Sequence, residues 1–538
     1  MSKYNYLSVV VALVLILPTI VWIVLDHGVW RGDPVGYAIT ALMLHKQWGL
    51  GFQAWLGTMF NGYKGPGIYW LGQCMVPVGQ LLGNLNFAFL LIPVGALFLS
   101  IHYLYKSFVL LHQSKLVAFC GCLILVASPL LNGLVTGFWI EPLQVAIVSW
   151  FIYATCKAKD WGVDVTIAKL LIAFSLALLV KASSPLYILG SAATISYVIL
   201  KQWSTLQVNR KFFFLLFIAF IVVFPTVVFY IYNYEAILRF AHFASTSPLF
   251  SSNIPRFDLW QQNVSSQLFQ EPSFFLSVVV FFSGIILTLN RKQYNRLTGI
   301  FLLSVFQIAL FFAAWQSSSN VDSRYFAPAL PYFSALVCWA LTAINVRLVT
   351  IITTCVFLLQ FFLITGCSFV SLSPSSSYGN TRPFTVSPDN DMRVIQGVLS
   401  LITRDSAVIV DLSPELGVAE IQYELAKNNI NGNWQNSCKD IGMFFNYNHQ
   451  EIDTSTIQID SVVNAIRSYH PDYYITWDSR RMPDMVKTEM QRIDRYNAVT
   501  IPARWAIAEK LAASQEYRIV NFPNQPKVLV FKRIEPRK

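Results

Sequence analysis

Charge is what this chain has little of. Only 12% of its 538 residues are Asp, Glu, Lys or Arg, while 55% are hydrophobic, a balance that excludes an ordinary soluble protein and places most of the chain in lipid. Its eight cysteines, Cys74, Cys120, Cys122, Cys156, Cys338, Cys355, Cys367 and Cys438, contain no CxxC and no His/Cys grouping at zinc spacing. That argues against a structural metal and a disulfide framework. No phosphate-binding glycine loop is present either: the turn after the first strand of the tail reads Asp411-Leu-Ser-Pro-Glu-Leu-Gly417, without GxGxxG spacing.

The net charge of +11 does not point to nucleic acid. Up to Cys367 there are 20 Lys+Arg and 9 Asp+Glu, and beyond it 19 of each, so the whole excess lies in the apolar part. Basic residues in short loops between apolar runs are a topology signal, whereas a nucleic-acid binder gathers them into one solvated patch. The run Leu7–Leu25 is uncharged over about the length needed to cross a bilayer and reads as a retained first span. Further runs follow at about Phe87–Tyr105, Leu116–Leu131, Ile140–Thr155, Thr166–Val180, Leu186–Leu200, Phe212–Ile231, Phe274–Leu289, Thr298–Trp315, Phe326–Val346 and Val349–Thr365. Together they predict a polytopic α-helical membrane protein of about eleven spans.

With the N-terminus in the cytoplasm, Lys106, Lys115, Lys157, Lys159, Lys169, Lys201, Arg210, Lys211, Arg291, Lys292, Arg296 and Arg347 fall in inner loops. An odd number of spans then puts the tail outside, with a long first outer loop (26–86) and a second (232–273). Ile68–Leu82 reads as an interfacial helix, because counting it as a span would invert every later loop. The expected division is a membrane domain over 1–367, a linker over 368–390 rich in Ser, Pro and Asn, and an extracytoplasmic α/β domain over 391–538. In that tail Ala407–Leu412 and Asp472–Trp477 read as strands and Pro414–Lys427 and Ser461–His470 as helices. Glu516–Asn521 and Lys527–Lys532 read as a closing hairpin.

Of the nine acidic residues before Cys367, seven (Asp26, Asp33, Glu141, Glu235, Asp258, Glu271 and Asp322) fall on the outer face. Asp33 stands in Arg31-Gly-Asp-Pro-Val-Gly-Tyr37 ahead of a surface helix over Tyr37–Trp48, and Glu141 opens the fourth span in Phe138-Trp-Ile-Glu-Pro142. Plainer roles exist for these groups. Asp33 before a proline can start a turn or cap a helix, Glu141 can cap the helix beginning at Pro142 and complement its dipole, and Lys181 can snorkel to the interface. Arg324 can pair with Asp322, although side chains at i and i+2 on a helix point apart. The seven histidines suggest no metal site, and Asn263-Val-Ser265 matches a glycosylation sequon that also arises by chance.

An acidic residue four before a tyrosine, followed by Lys64-Gly-Pro-Gly-Ile-Tyr-Trp70, resembles the Asp-x-x-x-Tyr and Lys-Pro-Pro-Leu-Tyr-Tyr-Trp elements of class C (GT-C) membrane glycosyltransferases. That family includes protein O-mannosyltransferases and the lipid A aminoarabinose transferase. Ser128-Pro129, Glu141-Pro142-Leu143, Leu179-Val-Lys181, Tyr232-Asn233 and Arg324-Tyr-Phe-Ala-Pro-Ala-Leu-Pro331 are similar to its later elements, in family order. The departures are Glu141 where Asp is usual, Val180 for Thr, and glycines around a single Pro66, which imply a more flexible loop beside Lys64.

The resemblance implies transfer of one sugar from a polyprenyl-phosphate donor to a hydroxyl-bearing glycan, lipid or protein acceptor, among membrane lipids. It also implies a bacterial inner (plasma) membrane location, with site and tail facing the periplasm or exterior. Asp33 is then the candidate base and Glu141 a second catalytic carboxylate that could orient the acceptor, hold a divalent cation or fix one of the basic residues. Lys64, Lys181 and Arg324 are candidate phosphate clamps, and Tyr37, Tyr69, Asn233 and Tyr325 position substrate. A transporter or flippase of a lipid-linked sugar is the alternative, but it would carry ionisable groups near the middle of its spans. The sugar, the acceptor and any metal dependence are left open by the sequence.

Overall fold

The computed structural model describes residues 3–534 except 27, 29, 31, 113, 207, 247–254, 292–295, 319, 321, 371–389, 403–405, 413–415, 430, 431, 433, 446–456, 479, 481–483, 485–495, 521 and 523–526. Nearly all of the expected linker, the turn of the closing hairpin and the start of the expected 414–427 helix lie outside the described residues.

Every apolar run becomes helix, because a backbone in lipid can satisfy its own N–H and C=O groups no other way short of a closed barrel. In chain order these are α1 (Lys3–Leu25), α2 (Asp33–Leu50), α3 (Phe52–Met59), α4 (Gly67–Leu82), α5 (Leu85–His112), α6 (Lys115–Val126), α7 (Pro129–Val135), α8 (Glu141–Lys157), α9 (Val163–Val180), α10 (Ser184–Lys201) and α11 (Arg210–Tyr232). Next come α12 (Tyr234–Thr246), α13 (Arg256–Gln262), α14 (Glu271–Arg291), α15 (Arg296–Ser317), a 3-10 turn over Ser323–Ala329, α16 (Leu330–Ile344) and α17 (Arg347–Val370). Among the described residues eight helices are long and apolar enough to cross a membrane, nine if α6 and α7 form one span bent by 66°. The expected eleven also count α8, which has 17 residues, and α10, diluted by Ser184, Ser191, Ser196 and its terminal Lys201.

Phe213, Phe214, Phe217, Phe220 and Phe224 leave much of α11 exposed, a face suited to lipid. By contrast α5 is sheathed by α1, α4, α6 and α8, and its Pro93 and Ser100 are buried inside the bundle. Asn263 is only 3% exposed, so the sequon is closed to a modifying enzyme.

The tail folds as expected in its main elements. α18 (Asn390–Leu401) leads to β1 (Val408–Asp411), α19 (Val418–Asn428), β2 (Lys439–Asp440), α20 (Ile459–Tyr469), β3 (Tyr473–Trp477), α21 (Tyr496–Ala512), β4 (Tyr517–Val520) and β5 (Val528–Arg533). α18, α21 and the two-residue β2 were not foreseen. The sheet order is β2-β1-β3-β5-β4, parallel across β2, β1 and β3 and antiparallel across β3, β5 and β4. Alternation in β1 sends Val408 and Val410 toward Ile421 and Val398 on one face, and Ile409 toward Ile466 and Ile507 on the other.

Asp411 ends β1 fully buried, accepting from Arg504 Nη1 at 2.7 Å and the Tyr474 hydroxyl at 2.8 Å. Replacing Arg504 with Met strands that carboxylate and should cost about 3–5 kcal/mol. The expected readout is faster hydrogen exchange at β1 and β3 amides of the full chain; unchanged exchange would show that Asp411 does not depend on its partner.

Candidate active site

Four helix ends and one loop bring the charged residues together. Asp33 is the first residue of α2 and Glu141 the first of α8; Lys181 caps the C-terminus of α9, and Arg324 stands in the 3-10 turn ahead of α16. Lys64 comes from the loop between α3 and α4. Helix ends suit such groups, because their backbone is already partly unsatisfied and their partial charges complement the side chains.

Asp33 uses both oxygens: Lys64 Nζ donates to Oδ1 at 3.0 Å and Arg324 Nη1 to Oδ2 at 2.6 Å. Lys181 Nζ donates to Glu141 Oε1 at 2.8 Å, and Arg324 Nε lies 3.8 Å from the same oxygen. A third carboxylate, Asp322, ion-pairs with Arg324 Nε at 2.9 Å and accepts from the Arg324 backbone N–H at 3.0 Å. The i, i+2 objection to this pair therefore fails, because Asp322 is the N-cap of a 3-10 turn and lies outside any α-helix. Three cations balance three carboxylates. Nor do Asp33 and Glu141 act as caps: neither helix has a side-chain cap bond, and both carboxylates face the cations instead.

Burial raises the Asp33 carboxyl, but Arg324 and Lys64 outweigh it and hold the group well below the usual carboxylate range. With the folded value depressed, the pairing adds stability above the ordinary carboxylate pKa and loses it only as pH falls below that range. Burial also raises the Tyr37 phenol, with Asp33 adding to it, so Tyr37 stays neutral. Burial pushes Asp322 up against the pull of Arg324.

Aromatic faces line the cations. Lys64 lies 5.3 Å from the Tyr37 ring centre, Lys181 4.5 Å from Tyr325, and Arg324 5.2 Å from Trp139. Tyr37, Tyr325 and all five predicted charged residues thus meet. Tyr69 and Asn233 stand one step back. The Tyr69 hydroxyl donates to Lys64 O at 2.9 Å, while Asn233 accepts from Gly62 N and donates to Phe60 O, so both hold the Lys64 loop. Asp322 and Trp139 were missed as site residues, although Asp322 was visible as one of seven outer-face acids.

Gly65 is present for close approach. A Cβ there would meet Leu179 O at 2.6 Å and Val180 O at 2.7 Å, so the loop lies directly on the end of α9, and the flexibility expected of it is not its role. Gly65→Ala should push Lys64 away from Asp33, read as hydrogen exchange about 10-fold faster over the loop that carries Lys64. A variant that exchanges like the parent would show that the Lys64 loop does not depend on lying against the end of α9.

Glu141 is fully buried, and its Oε2 has no hydrogen-bond partner. That oxygen is the one a divalent cation would use. The cations 2.8 and 3.8 Å from Oε1 oppose such an ion, and among the described residues no three His, Cys, Asp or Glu side chains converge on a metal position. The site as built fits an anion entering among the cations better than it fits a metal.

No family model and no curated protein matches the chain. Solved structures do. The crystal structure of ArnT from Cupriavidus metallidurans bound to undecaprenyl phosphate aligns with TM-score 0.59 and 12% identity over 100% of both chains. The same protein in the apo state gives 0.55 and 12% over 99% of each. The archaeal oligosaccharyltransferase AglB from Archaeoglobus fulgidus, in complex with an inhibitory peptide and a dolichol-phosphate, gives 0.43 and 13% over 100% of this chain and 75% of that one. At 12% identity the ArnT likeness is one of fold, and it takes in the membrane helices and the C-terminal sheet alike: this chain has the GT-C fold that its motifs resemble.

Proposed function

We propose that the protein is a glycosyltransferase that moves one sugar from a polyprenyl-phosphate-linked donor to a hydroxyl-bearing acceptor, a cell-envelope glycan, lipid or protein. The observation that carries this reading is Asp33 held between Lys64 and Arg324, a base and two phosphate ligands assembled from residues up to 291 positions apart. Support also comes from the shared fold with ArnT, whose structure holds undecaprenyl phosphate.

In this reading the donor phosphate competes with Asp33 for the two cations, with Arg324 as the forked ligand and Lys64 and Lys181 as point charges. Released from those pairs, Asp33 regains basicity and takes the proton of the acceptor hydroxyl. The acceptor oxygen bonds to the anomeric carbon, the bond from that carbon to the phosphate oxygen breaks, and its electron pair leaves with polyprenyl phosphate. That leaving group needs little acid assistance, because a phosphate monoester is largely dianionic near pH 7. Glu141 and Asp322 keep Lys181 and Arg324 in place. The reading puts the site and the tail on the face away from the cytoplasm of a bacterial inner membrane, with domain limits near 367 and 390.

The charged residues sit at helix ends, where an enzyme open to one side would carry them; a flippase would need them at mid-span. The test incubates purified protein with a panel of polyprenyl-phosphate sugars and candidate acceptors and measures liberated polyprenyl phosphate. Liberation that depends on acceptor supports transfer. Movement of labelled donor across vesicles with no liberation from any donor would replace it with transport.

A further inference from the structure

The C-terminal domain touches the candidate base loop. Gly32, directly before Asp33, has φ 66° and ψ −136°, a conformation that side-chain-bearing residues rarely adopt. This turns its N–H toward α19 of the tail, where it donates to Glu420 Oε1 at 2.9 Å, 388 residues away. The other Glu420 oxygen reaches back to accept from the backbone N–H of Gly417, the N-cap of α19, at 2.9 Å, so both oxygens of the carboxylate are held.

One turn on, Tyr423 is buried in the membrane domain rather than in the tail. Its ring stacks on Trp30 at 5.6 Å and 12°, and its hydroxyl donates to Asn86 Oδ1 at 2.8 Å. Trp30 in turn stacks on Phe138 at 6.2 Å, the neighbour of Trp139, whose ring lies beneath Arg324. A single face of α19 therefore touches the segment before Asp33 directly and, through Trp30, the segment before Glu141. Lys46 Nζ of α2 donates to Gly432 O at 2.9 Å and adds a tie at the far end of α2.

Resting on the reading of Asp33 as base, we propose that Glu420, with Tyr423 beside it, is a positioning residue that holds Gly32 and so sets Asp33 against Lys64 and Arg324. The tail domain is then part of the reaction machinery as a brace, whatever else it binds. Neither side chain touches the reacting atoms; each acts through the backbone of the base loop and the stacked ring of Trp30.

The test uses the full chain in lipid nanodiscs with Glu420→Ala, Glu420→Gln and Ile421→Val, the last a change in the tail core that leaves the Gly32 contact intact. Hydrogen exchange of the peptide containing Gly32 reports the brace without any reaction. It should accelerate about 10-fold or more in Glu420→Ala, less in Glu420→Gln, and not in Ile421→Val. Turnover on the active donor should fall about 10- to 100-fold in Glu420→Ala with donor KM nearly unchanged, because binding groups stay while the base is misplaced. Merely loosening the tail, as in Ile421→Val, would cost folded protein but not kcat per folded molecule. Unchanged exchange at Gly32, or accelerated exchange with unchanged kcat, overturns the proposal. If the parent protein liberates sugar from no donor, the transferase reading falls; the exchange result still supports or overturns the brace.

Discussion

Asp33→Asn should lower sugar transfer by about 10²- to 10⁴-fold while leaving binding of undecaprenyl phosphate intact or tighter. Asparagine keeps the shape of the side chain but cannot take a proton. It also removes the negative charge that Lys64 and Arg324 neutralise at 3.0 and 2.6 Å, so both cations become more available to a phosphate. The opposed directions make the result diagnostic. A base gives lost turnover with retained affinity; a purely structural aspartate gives loss of both through disorder of the loop. Single-turnover sugar release and titration with undecaprenyl phosphate measure the two quantities, and a variant that transfers at the parental rate would remove Asp33 from the chemistry.

Arg324→Ala carries the second large effect, on affinity. The guanidinium is 16% exposed and stands among Asp33, Asp322 and Glu141, at 2.6, 2.9 and 3.8 Å. Its removal leaves three carboxylates facing two lysines, so the balanced cluster becomes net negative and repels a phosphate. Losing one partner of such a desolvated pair costs about 2–5 kcal/mol, which predicts undecaprenyl phosphate binding weakened by about 30-fold or more. Arg324→Lys keeps the charge without the fork and should fall between parent and Ala, which separates loss of charge from loss of geometry. Equal affinity in all three proteins would place the phosphate elsewhere.

The parts of this site that the sequence disclosed are those with a local signature. Uncharged runs of bilayer length can only be helices, and scarce acids in an apolar chain stand out singly, so Asp33 and Glu141 were visible, while Lys64, Lys181 and Arg324 were picked out by the resemblance to GT-C motifs; all five converge. Two kinds of feature were hidden. Asp322 and Arg324 looked incompatible under helical spacing, because the short 3-10 turn that lets them meet leaves little trace in composition. Glu420 carried no local signal at all, since a contact spanning 388 positions has no periodicity to betray it. The glycines beside Pro66 were read as freedom, whereas the constraint is a neighbouring helix end that becomes apparent only in three dimensions.

In the proposed transfer, one contrast between the two central acids bears on how the site resets. The Asp33 side chain keeps 30% of its surface open, while Glu141 has none. A proton taken from an acceptor must drain to water before the next cycle, and the Asp33 carboxylate is the one with an outlet. Each sugar delivered should therefore be accompanied by acid shed on the side where Asp33 opens, and a dye-filled vesicle experiment would register in which compartment it collects.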